Sequence, residues 1–238
     1  MVVLRVENIH TYYGPSYILH GISLNVQEKE VVSLLGRNGA GKTTTIRSIM
    51  GLTPPREGGI TFHDIEIAGR PPHEIFQLGI KLVPQGKQIL PTLTVEENLR
   101  LAMLKTELEV REKKELERVY EKFPILKERR KQPGGHLSGG ERQMLAIARV
   151  LLGKTALILL DEPTEGLAPL IVKEIKETIE EIKGEGVALI LAEQNVKMAL
   201  EVADRHYIID KGTVKFEGTT QQLKESIGVL ETYLGVTA

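Results

Sequence analysis

The sequence contains no cysteine and no excess of charge of either sign. Without cysteine there is no disulfide framework and no cysteine-ligated metal site, and a reducing compartment is expected. The 31 basic and 32 acidic residues give a formal net charge of −1. This balance argues against a nucleic-acid clamp and against a polybasic membrane anchor.

A long apolar run is also absent. No stretch approaches the roughly 20 residues that a membrane-spanning helix needs. Glu7 and Asn8 interrupt the first segment, MVVLRVENIH, so we do not expect a signal peptide. We expect a chain that is soluble by itself and reaches a membrane only through a partner. The sequence shows no internal repeat or low-complexity linker, and its 238 residues suffice for one large domain or two small lobes.

The patterns that are present alternate between strand and helix. Period-2 alternation in LRVENI and ISLNVQ predicts half-buried strands. Residues 30–36 predict a buried strand ending at glycine, and residues 43–50 a helix closed by Gly51. Loops are expected around Pro54-Pro55 and Pro71-Pro72, followed by a short strand in IKLVPQ.

The second half of the chain begins with helices and returns to strands. Residues 94–152 are helical in pattern, with capping boxes at Thr94 and Ser138. The apolar runs ALILLDEP and VALILAEQ predict strands buried on both faces, joined by a helix. HYIIDKGTVKFEG predicts a hairpin. The fold class is therefore α/β, with a mainly parallel core sheet, an antiparallel N-terminal β lobe and an inserted α-helical subdomain. We expect one domain over residues 1–238, with its core in 1–87 and 154–238 and its helical subdomain in 88–153.

A phosphate loop is the strongest motif. Residues 36–43, GRNGAGKT, match GxxxxGK[ST] between a predicted strand and a predicted helix. Glycines let backbone N–H groups surround an anion, and the helix N-terminus adds its dipole. Lys42 would reach the β- and γ-phosphates, and the Thr43 hydroxyl would bind Mg²⁺. The alternative is a glycine-rich turn without a ligand.

Two adjacent carboxylates, Asp161 and Glu162, end a predicted buried strand. Ligands bind at this end of strands in open parallel sheets. Asp161 would belong to the Mg²⁺ shell, and Glu162 would polarise a water beside the γ-phosphate. The alternative is a pair of solvated charges or a helix N-cap.

Residues 136–143, HLSGGERQ, form a second phosphate-binding pattern. The phosphate loop, Gln85 after a strand, LSGGE and LLDEP occur in that order at compatible spacing. Together they resemble the ATP-binding cassette (ABC) ATPases over essentially the whole chain. The resemblance implies the P-loop NTPase core, ATP hydrolysis, and ATP and Mg²⁺ as ligands. It also explains the two phosphate elements, because two cassettes pack head to tail and enclose each ATP between the phosphate loop of one and the signature of the other.

The resemblance assigns roles to individual residues. Ser138 with Glu141 could instead merely cap a helix, although both roles are compatible, and Glu141 is expected to point into the cap. Tyr13 is favoured over Tyr12 for stacking on adenine, with simple packing as the alternative for either. The residues assigned to ATP are Tyr13, Gly36, Arg37, Asn38, Gly39, Ala40, Gly41, Lys42, Thr43, Thr44, Ser138, Gly139 and Gly140; Thr43, Gln85 and Asp161 are assigned to Mg²⁺, and Glu162, Gln85 and Gln194 to catalysis.

Two positions depart from the family pattern. Gln194 stands where the family usually has a histidine; its amide can donate to a phosphate but cannot become an imidazolium. The resemblance is therefore compatible with a positioning role for Gln194, but it does not imply a protonated switch at this position. Ala168 stands where the family often has aspartate. This chain therefore lacks the side chain that usually makes a polar contact across the dimer.

The segments GLAP, EQN, ERVYEKFPILKERR and YLGV resemble one ATPase subunit of branched-chain amino-acid importers. Such an assembly implies a second ABC ATPase subunit, two membrane permeases, an extracytoplasmic solute-binding protein and no nucleic acid. It places the chain peripherally at the cytoplasmic face of the inner membrane, held by the permeases. Urea or amide importers, lipid-exporting ABC systems and soluble non-transport ABC ATPases remain alternatives.

Overall fold

The computed structural model describes residues 1–86, 89–103 and 109–235. The predicted subdomain boundary between residues 87 and 88, and the last residue of the YLGV segment, lie outside them. The described residues form ten strands: β1 Val2–Tyr13, β2 Ser16–Gln27, β3 Val31–Leu35, β4 Glu57–Phe62, β5 Ile65–Glu66, β6 Ile80–Val83, β7 Leu157–Asp161, β8 Ala188–Glu193, β9 Arg205–Asp210 and β10 Thr213–Thr219.

Helices alternate with these strands. They are α1 Lys42–Ile49, α2 Pro72–Leu78, α3 Val95–Leu101, α4 Glu109–Lys122, α5 Pro124–Glu128, α6 Gly139–Leu151, α7 Pro169–Gly184, α8 Val196–Val202, α9 Thr220–Glu225 and α10 Ile227–Val229, with a 3₁₀ turn at Gly134–His136 and a π turn at Leu230–Leu234. Within the part of the chain that the structure describes, no helix combines the length and apolarity needed to cross a bilayer.

Two sheets carry the fold, and they confirm the predicted class. The first has the order β2-β1-β4-β5, and its neighbouring strands pair antiparallel. The second has the order β10-β9-β3-β8-β7-β6. Within it β9, β3, β8 and β7 pair parallel, and β10 is antiparallel to β9. Strands β3, β7 and β8 are buried along their whole length, as continuous apolar runs predict.

The sequence patterns missed several elements in the first half of the chain. Residues around Pro54 and Pro71 were expected to be loops, but the structure adds β4 and β5 between them and begins α2 at Pro72. Pro72 is favourable there, because the first helical position needs no N–H donor and proline presets φ. Strand β4 reads EGGITF, and its two glycines weaken the strand signal that its apolar residues give.

Contacts divide the chain into two compact units. The first unit comprises Met1–Leu82, Ala156–Glu162 and Lys176–Ala238, and the second comprises Val83–Thr155 and Pro163–Ile175. The first unit therefore contains the phosphate loop and β7, β8 and β9. The second contains α3 to α6 and the loop after β7.

Candidate functional site

The phosphate loop connects β3 to α1 in the first unit. Gly41 precedes α1 with φ of +118°, and no side chain caps the N-terminus of this helix. A left-handed backbone is accessible to glycine without steric cost. The first N–H groups of α1 therefore have no side-chain acceptor, which is the arrangement that binds an anion at a helix N-terminus.

Lys42 lies inside this loop and is 3 % exposed. Its Nζ donates to the carbonyl oxygens of Gly36 at 2.8 Å and Arg37 at 3.2 Å. The same ammonium lies 3.2 Å from Oε1 of Glu162. One buried cation thus connects the phosphate loop to the end of β7.

Asp161, the last residue of β7, faces the start of α1. The Thr43 hydroxyl donates to its Oδ1 at 3.1 Å. Burial raises the pKa of the Asp161 carboxyl to about 6; the hydrogen bond from Thr43 opposes this shift, and the Glu162 carboxylate adds to it. A cation bound beside Asp161 would favour the ionised form and reverse the shift.

The oxygen atoms at this point suit Mg²⁺. Thr43 and Asp161 together offer a hydroxyl and a carboxylate, the hard ligands that magnesium prefers. Among the described residues no cluster of three or more His, Asp or Glu could hold a metal by itself. Magnesium is commonly held by one or two protein oxygens together with substrate phosphates and water, so the donor set fits.

Glu162 adopts a backbone conformation that is uncommon for a residue with a side chain. Its φ is +48°, and its N–H donates to the Ala192 carbonyl at 2.9 Å on neighbouring β8. Nε2 of Gln194 donates to Glu162 Oε1 at 3.0 Å. A non-glycine residue with positive φ persists only when its surroundings hold it. Here β8 and the residue that follows its end fix both the backbone and the carboxylate of Glu162.

The first unit therefore brings together five of the predicted site residues: Lys42, Thr43, Asp161, Glu162 and Gln194. Gln85 and the signature residues belong to the second unit. There Nε2 of Gln85 donates to Oε2 of Glu165 at 3.0 Å. The patterns gave no sign of this pair.

The signature segment begins α6 in the second unit. Ser138 is its N-cap and accepts from the Glu141 N–H, while Glu141 Oε2 accepts from the Ser138 N–H at 2.6 Å. Both hydrogen bonds of the predicted capping box are present, and Glu141 points into the cap as expected. A Cβ on Gly140 would lie 2.8 Å from the Ile171 side chain, so α7 also requires glycine at this position.

The two candidate tyrosines differ in their surroundings. Tyr12 stacks on Tyr17 with ring centroids 4.3 Å apart and planes inclined by 7°. The Arg56 guanidinium lies 4.4 Å from the centroid of the same ring. Tyr13 is 42 % exposed and has no ring-stacking partner among the described residues. These surroundings favour Tyr13 over Tyr12 as the side chain available for a base.

Comparison with known proteins places this site in a family. Residues 19–165 match the family described as ABC transporter. The chain is 41 % identical over 98 % of its length to the high-affinity branched-chain amino acid transport ATP-binding protein BraG of Pseudomonas aeruginosa, all of which is covered. It is 36 % identical to the probable branched-chain amino acid transport ATP-binding protein LivF of Archaeoglobus fulgidus, covering 94 % of each chain. It is also 36 % identical to the lipopolysaccharide export system ATP-binding protein LptB of Haemophilus influenzae, covering 99 % of this chain and 98 % of that one.

Solved structures agree with these relatives. A nucleotide-free ATP-binding cassette from an ABC transporter superposes with a TM-score of 0.86 at 27 % identity, covering all of both chains. A dimeric post-hydrolysis cassette bound to ADP and phosphate superposes with a TM-score of 0.81 at 25 % identity, covering 91 % of this chain and 98 % of that one. The chain therefore belongs to the ABC transporter ATPases, a family that binds and hydrolyses ATP.

Proposed function

We propose that this chain is the ATP-hydrolysing subunit of an importer that takes up branched-chain amino acids through partner permeases. The observation that carries the proposal is the cluster of Lys42, Thr43, Asp161 and Glu162 at the end of β7, in which Lys42 and the two carboxylates are buried. The names of the BraG and LivF relatives support the cargo. The LptB relative supports lipid export as the second candidate.

Each residue of this cluster has a distinct task. The N–H groups of the phosphate loop and Lys42 bind the β- and γ-phosphates, and Tyr13 stacks on the base. Thr43 and Asp161 would hold Mg²⁺, with Gln85 as a further oxygen ligand. When bound, the metal neutralises charge on the phosphate oxygens. Positioning and charge stabilisation are the main needs of phosphoryl transfer, so no covalent enzyme intermediate is required.

Glu162 orients the attacking water and accepts its proton. Gln194 fixes the carboxylate through its amide N–H, a hydrogen-bond donor that does not itself titrate. In the structure Lys42 lies against both the loop carbonyls and Glu162. ATP would draw the ammonium towards the phosphates and release Glu162 for water, which couples nucleotide binding to formation of the catalytic geometry.

The second phosphate element completes the site from another cassette. Ser138, Gly139 and Gly140 start a 13-residue helix, so a hydroxyl and the positive end of α6 can face an anion. We assign this anion to the ATP of a partner ABC ATPase, as the dimeric solved relative supports. The partners would further include two permeases and, indirectly, an extracytoplasmic solute-binding protein. The permeases would hold the chain at the cytoplasmic face of the membrane.

Uptake of labelled leucine tests the cargo and the catalytic role together. Cells of the source organism that lack this chain are complemented with wild type, Glu162→Gln or Glu121→Gln; Glu121 is an exposed carboxylate on α4. Wild type and Glu121→Gln should restore uptake, and Glu162→Gln should not. Labelled urea is measured in parallel.

Restored urea uptake without leucine uptake would favour an amide importer. Loss of outer-membrane lipid transport with normal leucine uptake would favour the lipid-exporting class instead. Co-purification of the chain with ribosomes or DNA and no permease would favour a soluble non-transport ATPase. Each of these results overturns the proposed cargo.

A further inference from the structure

The ring of Tyr12 is enclosed from both neighbouring strands. β1 lies between β2 and β4 in the first sheet. Tyr17 is the cross-strand partner of Tyr12 on β2 and stacks on it, while Arg56 immediately precedes β4 and places its guanidinium over the same ring. The Tyr17 phenol and the Arg56 guanidinium both lie against this ring, so it is less available to a base than the ring of Tyr13.

Arg56 also reaches the turn that follows Tyr13. Its backbone N–H donates to the His10 carbonyl at 2.8 Å, which fixes the residue beside β1. Its Nη2 donates to the Gly14 carbonyl at 2.7 Å. Gly14 and Pro15 form the two-residue loop between β1 and β2. One side chain therefore connects the stacked Tyr12 to the loop that begins at Tyr13.

We propose that Arg56 is a positioning residue for nucleotide binding, which acts through the Gly14 carbonyl and the Tyr12 ring to present Tyr13 to the adenine. The inference rests on the proposed function, because it needs Tyr13 to bind the base. In this role Arg56 would touch neither the base nor the phosphates. It keeps the hairpin end in one conformation before ATP arrives, so less ordering is needed on binding.

Arginine suits this position for a physical reason. Its planar guanidinium can lie over an aromatic ring while an N–H at its edge donates, within the guanidinium plane, to a carbonyl. A lysine at position 56 could reach either partner with its ammonium, but it lacks the planar fork that serves both at once. Arg56→Lys should therefore retain only part of the effect.

Two probes separate base contacts from phosphate contacts. Equilibrium dissociation constants are measured for Mg-ATP and for inorganic tripolyphosphate with magnesium. Arg56→Ala should weaken Mg-ATP binding about five- to tenfold, the effect expected for losing one hydrogen bond and one exposed cation–π contact. Binding of tripolyphosphate should be unchanged. In steady state, Arg56→Ala should raise KM for ATP and leave kcat unchanged. The values for Arg56→Lys should lie between those of wild type and Arg56→Ala.

The matched control is Arg70→Ala. Arg70 is a partly exposed arginine of the first unit, and its Nε donates to the Glu66 carbonyl at 2.6 Å. Its removal should leave both dissociation constants as in wild type. Thermal unfolding of every variant is recorded, since a general loss of folding would weaken both probes equally.

Five results bear on the inference. Selective loss of Mg-ATP binding in both Tyr13→Ala and Arg56→Ala supports the inference. Wild-type Mg-ATP binding by Arg56→Ala overturns it, as does equal weakening of both probes. Wild-type Mg-ATP binding by Tyr13→Ala also overturns it, because Arg56 would then have no base-binding residue to position. If Lys42→Ala binds both probes as tightly as wild type, the proposed nucleotide site itself is wrong.

Discussion

Lys42 and Glu162 form an ion pair of 3.2 Å in which the two side chains are 3 % and 5 % exposed. Lys42 belongs to the phosphate loop, and Glu162, the proposed general base, follows the last residue of β7. Desolvation makes such a pair sensitive to the loss of either member. During turnover, a γ-phosphate and a water would come between these two residues.

Glu162→Gln should bind Mg-ATP but hydrolyse it about 10²- to 10⁴-fold more slowly, because an amide cannot accept the proton of the attacking water. Phosphate release in steady state and equilibrium ATP binding measure the two effects. Glu121→Gln, an exposed change on α4, should turn over ATP as wild type does. Near-normal turnover by Glu162→Gln would remove this residue from the catalytic role.

Lys42→Met should destabilise the chain without nucleotide by about 3–5 kcal/mol, since a buried carboxylate loses the ammonium beside it. The double variant Lys42→Met/Glu162→Gln should recover part of this loss, because no buried charge then remains at the pair. Urea unfolding of the four proteins of this double-mutant cycle gives the coupling free energy. Additive changes would show that the ion pair carries no net coupling.

Gln194→Ala should lower kcat about tenfold, the effect of one hydrogen bond that orients the general base. ATP affinity should change little, and Gln194→His should retain more activity because an imidazole N–H can take over the donation. A KM rise with unchanged kcat in Gln194→Ala would instead assign Gln194 to binding.

His206 should make the free energy of unfolding depend on pH in the acid range. Its ring is fully buried, with Nδ1 2.6 Å from the Ser33 hydroxyl and Nε2 2.8 Å from the Thr220 hydroxyl. Thr220 donates its proton to the Ala203 carbonyl, so Nε2 donates to Thr220 and Nδ1 accepts from Ser33. Burial lowers the pKa of His206 from 6.5 to about 4.

The sign of the pH effect follows from that lowered pKa. Between pH 6.5 and pH 4 the unfolded chain binds a proton at His206 that the folded chain does not, so the stability contributed by this residue is lost as pH falls through that window. Urea unfolding at several pH values should show a smaller decrease for His206→Asn than for wild type. The exposed His73→Asn should follow wild type, and identical slopes for all three proteins would contradict the assignment.

Local patterns predicted local structure well, and contacts distant in sequence poorly. The capping boxes at Thr94 and Ser138 were predictable because both partners lie within one helical turn. The parallel core sheet followed from its continuous apolar runs. The Gln85–Glu165 and Arg56–Gly14 hydrogen bonds join residues 80 and 42 positions apart. No periodicity brings such partners together; only the packing of strands and loops does.

The sequence predicted which residues form the site better than it predicted the contacts between them. The loop GRNGAGKT and the pair Asp161-Glu162 identified the phosphate chemistry before any contact was known. The Lys42–Glu162 ion pair was not predictable, because it depends on the order of β3, β8 and β7 in the sheet. The assignments of Tyr13 and the signature residues to ATP, and of Gln85 to Mg²⁺ and catalysis, remain predictions.

The solution mass of Glu162→Gln with and without Mg-ATP, measured by light scattering, tests most directly whether the phosphate loop and the signature are halves of one shared site. We predict that Mg-ATP converts this variant from monomer to dimer and that adding Ser138→Arg, which places a bulky cation at the signature helix, abolishes the dimer. Tight ATP binding by a chain that stays monomeric, or a dimer that Ser138→Arg leaves intact, would contradict a site shared between two copies.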